Sequence, residues 1–426
     1  MKLWEKNNSS NDKIIDFTVG NDRHDDLYLI KYDIQASISH AKMLTKQSII
    51  SRVESKQIID KLIKIKEEVT LGKFKIENNF EDMHSKLEHV LIEELGDIGK
   101  KIHTARSRND QVLVSIQLYL KNELIIIKKQ IRSLFNLLIQ LSKKNKDVIM
   151  PGYTHMKAAM PSSFGLWFSA YAEILIDDII SLNNAIQIVD QNTLGSAAGY
   201  GTSFKIDRKF TTNDLNFSNM KYNSLACQIS RNKIEKNTFD SLGNLAFTLS
   251  KISMDICLYL SDEFNFIEFP DEITTGSSIM PHKKNPDVFE TIRAKCNNIQ
   301  NFSNSISLIS VNLPSGYHRD FQINKGKLIR AINDIKECIE ILSYCLGKIK
   351  VNKSIMDNKK YDNIYSVELI SKWVEEGLPF RDAYLKLKKE MKSGPKNLPK
   401  DINHKHLGSI GNLALDKIKL KMKKYF

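Results

Sequence analysis

Between Gly99 and Pro151 the chain contains neither glycine nor proline, the two residues that most readily interrupt a helix. Within that stretch Ile116, Leu120, Leu124, Ile127, Ile131, Leu134, Leu138 and Leu141 recur at spacings of four and three, which places them on one stripe of a very long helix. Leu328, Ile332, Ile335, Ile339, Leu342 and Leu346 mark a second long helix near residues 321 to 350. Segments 162 to 191, 232 to 264 and 286 to 312 are also long, apolar-rich and almost free of breakers. Long helices in this number predict an all-α protein built around a bundle. Stripes of this length exceed what one small bundle needs to cover itself, so part of their apolar surface is expected to face other copies of the chain. The flanks read differently, and three parts follow: an N-terminal helical domain over 1–106, a central long-helix bundle domain over 107–350 and a small C-terminal helical domain over 351–426. The string SGPKNLPKD in the last part reads as a loop.

A chain of 426 residues with 42% hydrophobic content can bury a large core. Its first residues, MKLWEKNNSSND, lack the apolar run of a secretory signal, and no later segment approaches the ~18 uncharged apolar residues of a membrane span, so a soluble, cytoplasmic protein is expected. Five cysteines are widely spread without metal-site or disulfide spacing and read as reduced thiols. The formal charge of +13 comes from lysines scattered along the whole chain, with no basic stripe interleaved with aromatics. Nucleic acid is therefore not expected as a partner, whereas the field is compatible with steering a polyanionic small molecule.

Four breaker-rich segments are dense in reactive residue types, and loops on a rigid scaffold are where such groups commonly act. TGSSIMPHKKNP, from Thr275 to Pro286, combines the free-turning Gly276, the hydroxyls of Ser277 and Ser278, and donors on Lys283 and Asn285. Such a loop can wrap an anion, although an ordinary connector shares its composition. HTARSRNDQ, from His103 to Gln111, sets Ser107, Arg108 and Asn109 where a helix start can bind a carboxylate or simply be capped. PGYTHMKAAMP, from Pro151 to Pro161, holds Thr154 and His155, and a lone histidine is more often structural than catalytic. YHRDFQINK, from Tyr317 to Lys325, opens the second long helix with Gln322 and Lys325 on one face and Tyr317 ahead of them.

These strings together carry a resemblance. The first is similar to the signature GSSxMPxKxNP of the fumarase, aspartase and argininosuccinate lyase superfamily. HTARSRNDQ resembles HTGRSRNDQV, which marks the argininosuccinate lyases within it, with Ala105 in place of a glycine. PGYTHMKAAMP resembles PGYTHLQxAQP, departing at Lys157 and Met160, and YHRDFQINK resembles YNRDLQxDK, departing at His318 and Ile323. Glu81 to His84, Leu194 to Ala197 and Thr202 to Asp207 are similar to the family's EDxH, LGSGA and TPFxID, so the likeness runs from about residue 22 to 350. Where many members have a substrate-binding serine, VGNDRHDDLYL here has Asp22.

The resemblance implies cleavage of argininosuccinate to fumarate and arginine by a cofactor-free anti β-elimination, with no metal. It also implies a homotetramer whose sites are each assembled from three subunits. Removing a weakly acidic C–H proton beside a carboxylate requires a base, donors for the developing charge and an acid for the leaving nitrogen. On the matching positions Ser277 is the base, its alkoxide favoured by backbone N–H groups around Gly276 and by Lys283. Lys283 and Asn285 stabilise the developing charge. His155 stands on the acid side, supported by Glu290. Thr154, Ser107, Arg108 and Asn109 grip the fumarate half, and Tyr317, Gln322 and Lys325 the remainder. Asp22 is placed at the substrate's amino group. The competing readings are adenylosuccinate lyase, another fumarate-releasing lyase of the superfamily, or a non-catalytic structural protein on the same fold.

Overall fold

The computed structural model describes residues 12–393 and 398–426. The opening MKLWEKNNSSN and part of the expected SGPKNLPKD loop lie outside the described residues. The chain is helical, with a few short strands. After Ile30–Lys46 (α1), Arg52–Thr70 (α2) and Met83–Leu95 (α3) comes the 37-residue Arg108–Lys144 (α4). An antiparallel hairpin of Ile149–Thr154 (β1) and Lys157–Ser163 (β2) leads to Phe164–Val189 (α5), and Lys233–Leu260 (α6) follows. A small hairpin of Thr275–Gly276 (β3) and Lys284–Asn285 (β4) precedes Asp287–Ser310 (α7) and Ile323–Leu346 (α8). Ser366–Glu375 (α9) and Phe380–Lys392 (α10) pack together near the end.

All the long helices expected from the breaker pattern are present within a few residues of the expected spans. Their starts have local causes. Ser107 Oγ accepts the Asn109 N–H at 3.2 Å and Asp110 Oδ1 accepts the Ser107 N–H at 3.0 Å, so donors at the first turn of α4 have partners. Asp82 and Ser85 form a reciprocal capping box at α3, as Ser51 and Glu54 do at α2. Lys143 and Lys144 close the last turn of α4, where positive charge suits the helix dipole.

The chain packs as two compact units. One comprises Met1–Lys128, Ser181–Asn244 and Asn298–Ile335, and the other Lys129–Ile180, Leu245–Asn297 and Lys336–Phe426. The division into 1–106, 107–350 and 351–426 that we propose along the chain is a different partition. Each long helix α4 to α8 lends a segment to both units, so compactness does not follow chain order.

One expectation is corrected. The stripes Ile116 to Leu141 and Leu328 to Leu346 were expected to leave surface for other copies, yet every residue of both is buried within this single chain. The exposed apolar residues lie elsewhere: Phe247 is 58% and Met254 46% exposed on α6, and Ile174 is 47% exposed on α5. Periodicity marks a buried face but not what buries it. Among the described residues no helix is long and apolar enough to cross a membrane.

Candidate active site

In the first unit a cavity of about 210 Å³ is lined by residues from the short helix Asp22–Asp25, the turn before α3, the start of α4 and the start of α8. Asp22, Arg108, Asn109, Tyr317, Gln322 and Lys325, all expected at the site, line it together. Lys325 Nζ lies 2.9 Å from Asp22 Oδ1 and 2.5 Å from Asp26 Oδ1, with all three side chains buried. Burial alone would lower the Lys325 pKa, but Asp26 and Asp22 outweigh it and hold the ammonium above the usual lysine range. Burial raises the Asp22 carboxyl. Lys325 opposes that rise, and the crowding carboxylates of Asp26 and Asp25 add to it. Asp26 Oδ2 also accepts the Met83 N–H at 2.9 Å, which ties this ion cluster to the start of α3.

A second ion cluster also lines the cavity. Arg108 Nη1 contacts Glu81 Oε2 at 3.1 Å and Asp82 Oδ2 at 3.3 Å, and Arg319 Nη2 donates to Glu81 Oε1 at 2.6 Å. His84 also lines the cavity, with Nδ1 3.1 Å from Asp33 Oδ2. Burial disfavours the His84 imidazolium, but Asp33, Asp82 and Asp26 override it and raise the pKa. Ser107 is the N-cap of α4 and is not among the lining residues. Asp110, beside it, accepts the Gly195 and Ala197 N–H groups at 3.0 Å each, which fixes the Leu194–Ala197 loop against the start of α4. Ala105, at the position the motif gives to glycine, has φ of 61°.

The other expected residues belong to the second unit. Thr154 pairs with Lys157 across the β1–β2 turn, and the two residues between them, His155 and Met156, have φ of 51° and 60°. A two-residue hairpin with both central φ values positive normally takes Asn-Gly, so a His-Met pair there is strained, and such strain clusters at functional positions. The hairpin is anchored by packing. Tyr153 stacks 5.2 Å from Phe264, and its hydroxyl donates to that of Tyr361 at 3.2 Å. Phe266 and Tyr259 extend the same aromatic cluster.

The signature loop forms the tip of the β3–β4 hairpin, where Thr275 faces Asn285 and Gly276 faces Lys284. Ser277 Oγ accepts the Ile279 N–H at 3.3 Å and the Met280 N–H at 3.1 Å. The backbone donors thus follow the serine, where they were expected around Gly276. Asn285 Nδ2 donates to Gly276 O at 3.4 Å, and Thr275 Oγ1 donates to Asp287, so the hairpin is tied at its base. His155, Lys283 and Glu290 are exposed. Glu290 sits in the first turn of α7 with Arg293 4.0 Å away, and among the described residues no hydrogen bond or ion pair joins it to His155. Arg231, Arg319, Glu81, Asp82, Asp26 and His84 line the cavity without having been named as binding residues. All but Arg231 lie in or beside strings that carried the resemblance, and Arg231 stands in the unmarked sequence ISRNK.

Solved structures share the fold. EDDS lyase in complex with formate matches with a TM-score of 0.83 at 19% identity, covering 99% of this chain and 91% of that one. A class II fumarase from Schistosoma mansoni matches at 0.72 and 16%, covering 92% and 95%. The helical fold is thus shared with these proteins. The sequence model of the family described as Lyase matches residues 8–301. An argininosuccinate lyase of Phocaeicola vulgatus is 48% identical over 422 residues, 99% of this chain and 95% of the relative. Another, from Thermotoga neapolitana, is 38% identical over 387 residues, 90% and 96%. The chain belongs to this Lyase family and, within it, to the argininosuccinate lyases.

Proposed function

We propose that the chain cleaves argininosuccinate to fumarate and arginine by anti β-elimination, as a cytoplasmic enzyme of arginine biosynthesis. The observation that carries this reading is the cavity. It brings Arg108 and Arg319 together with Lys325, Asp22 and Asp26 in one lining, so it offers both signs of charge to a ligand that carries carboxylates, an ammonium and a guanidinium. Arg108 and Asn109 at the start of α4 hold the fumarate half, with Ser107 and Thr154 contributing. Tyr317, Gln322, Lys325 and Asp22 hold the arginine half.

Ser277 is the base in this reading. Two backbone N–H groups already converge on its oxygen, and donors to the anion lower a hydroxyl's pKa. Lys283 on the same tip adds positive charge, and with Asn285 it meets the carboxylate that becomes dianionic as the proton leaves. His155 protonates the leaving nitrogen, and Glu290 holds its tautomer. His155 and Glu290 share no bond among the described residues, and both are exposed with Lys283. Both facts support a homotetramer in which each cavity is completed by loops of neighbouring subunits.

The test is direct. Purified protein mixed with argininosuccinate should produce the ultraviolet absorbance of fumarate, and adenylosuccinate should produce none. Turnover of adenylosuccinate alone would overturn the assignment.

A further inference from the structure

Arg231 lies just ahead of α6 in none of the strings that resemble the family, yet it lines the same cavity as Tyr317, Gln322 and Lys325. It is 4% exposed. Its Nε donates to Glu235 Oε1 at 2.6 Å, one turn along the helix, while its Nη1 is enclosed and has no hydrogen-bond partner among the described residues. A guanidinium is always charged and offers five donors in a rigid fork matched to carboxylates. Buried donors in native proteins nearly always have acceptors, so an orphan of this kind calls for a ligand or another explanation. The lysine and the other arginines of the cavity are ion-paired, as Arg231 is to Glu235, but among the described residues none of them has an enclosed donor without a partner. Lys325 holds Asp22 and Asp26, Arg108 holds Glu81 and Asp82, and Arg319 holds Glu81.

Position selects which acceptor is missing. Arg231 lines the cavity together with Tyr317, Gln322 and Lys325, the residues placed at the arginine half, and acts electrostatically on the phenol of Tyr317, as do Lys325, Asp22 and Arg319. The same cavity has the carboxylates of Asp22 and Asp26, suited to an ammonium. An α-amino acid head group carries an ammonium and a carboxylate on one carbon, and needs both an acidic and a basic partner close together. We infer that Arg231 receives the α-carboxylate of the arginine half of argininosuccinate, and that it selects an amino-acid leaving group over an amine. This rests on the proposed reaction.

Arginine and agmatine separate the possibilities, since agmatine is arginine without the carboxylate. Both are to be measured as inhibitors of fumarate release by the wild-type protein and by Arg231→Gln and Arg231→Lys. The wild type should bind arginine more tightly than agmatine. Arg231→Gln should weaken arginine by about ten- to a hundredfold, the range for a hydrogen bond to a charged group, and leave agmatine unchanged. It should also raise KM for argininosuccinate more than it lowers kcat. Arg231→Lys, which keeps the charge but not the fork, should fall between; it carries the test if the glutamine variant does not assemble. Equal weakening of both inhibitors would mean that Arg231 only supports the fold. No weakening of either would place the guanidinium toward the adjoining cavity of about 290 Å³ that it also lines with Lys233 and Lys236, and would equally overturn the inference. If the wild type releases no fumarate from argininosuccinate, the proposed reaction itself fails; if it does and the contrast persists in both variants, only the role of Arg231 fails.

Discussion

At the turn into α4, Ala105 holds φ of 61°, where an L side chain meets the following carbonyl at a cost of about 1–2 kcal/mol. Glycine avoids that clash but loses about 0.5–1 kcal/mol through the entropy of the unfolded chain. Ala105→Gly should therefore raise stability by up to about 1 kcal/mol in urea denaturation, and Ala105→Val should lower it; a glycine variant clearly weaker than wild type would show that the turn is not strained. Ser277 poses a different question, because its oxygen accepts two N–H groups whether it acts as base or as binder. A lost binding hydroxyl costs about 1.5–3 kcal/mol, whereas a lost base removes most of the chemical step. Ser277→Ala should lower kcat by several orders of magnitude while the protein still binds argininosuccinate. Near-normal kcat with only a raised KM would move the base elsewhere, His155 being next in line.

Among the elements, α5 carries a buried acid at Asp178, 4% exposed, whose Oδ2 has no hydrogen-bond partner among the described residues. Burial pushes its pKa up to about 7, against an opposing hydrogen bond from Thr248. The folded protein thus holds this proton more tightly than the unfolded chain, whose carboxyl titrates near 3.8. The resulting stability is fully present below that lower value and is lost as pH rises through about 7. Asp178→Asn should match wild type near pH 4 and be the more stable at pH 8; an identical denaturation midpoint difference at both pH values would refute this. The long helices were legible in the sequence because Gly99 and Pro151 bracket an uninterrupted 3.6-residue rhythm. The β1–β2 hairpin was not, since IMPGYT and KAAMPSS do not alternate and two prolines interrupt them. Packing of Tyr153 on Phe264 overrides that weak local preference. At the site, Arg108, Tyr317 and Lys325 were readable through multi-residue strings, whereas Arg231 stands alone between Ser230 and Asn232, where only tertiary structure reveals its neighbours.

For the molecule as a whole, the proposed tetramer rests on the exposed Lys283, Glu290 and His155, together with the exposed Phe247, Met254 and Ile174. Separately inactive His155→Ala and Ser277→Ala chains, mixed and reassembled, should recover part of the activity, because some mixed sites would receive both intact groups. Mixed tetramers that stay inert would remove the main support for shared sites. The charge of +13 acts at long range and cannot tell one polyanion from another. The cavity can, because its ion pairs make recognition an exchange of partners. Glu81 and Asp82 on Arg108, and Asp22 and Asp26 on Lys325, are resident competitors of any incoming carboxylate. A simple anion such as chloride or acetate would strand those acids and gains little. A ligand bringing its own ammonium and guanidinium offers the displaced acids new partners, so the protein's own carboxylates guard its cations against the small anions of the surrounding solution.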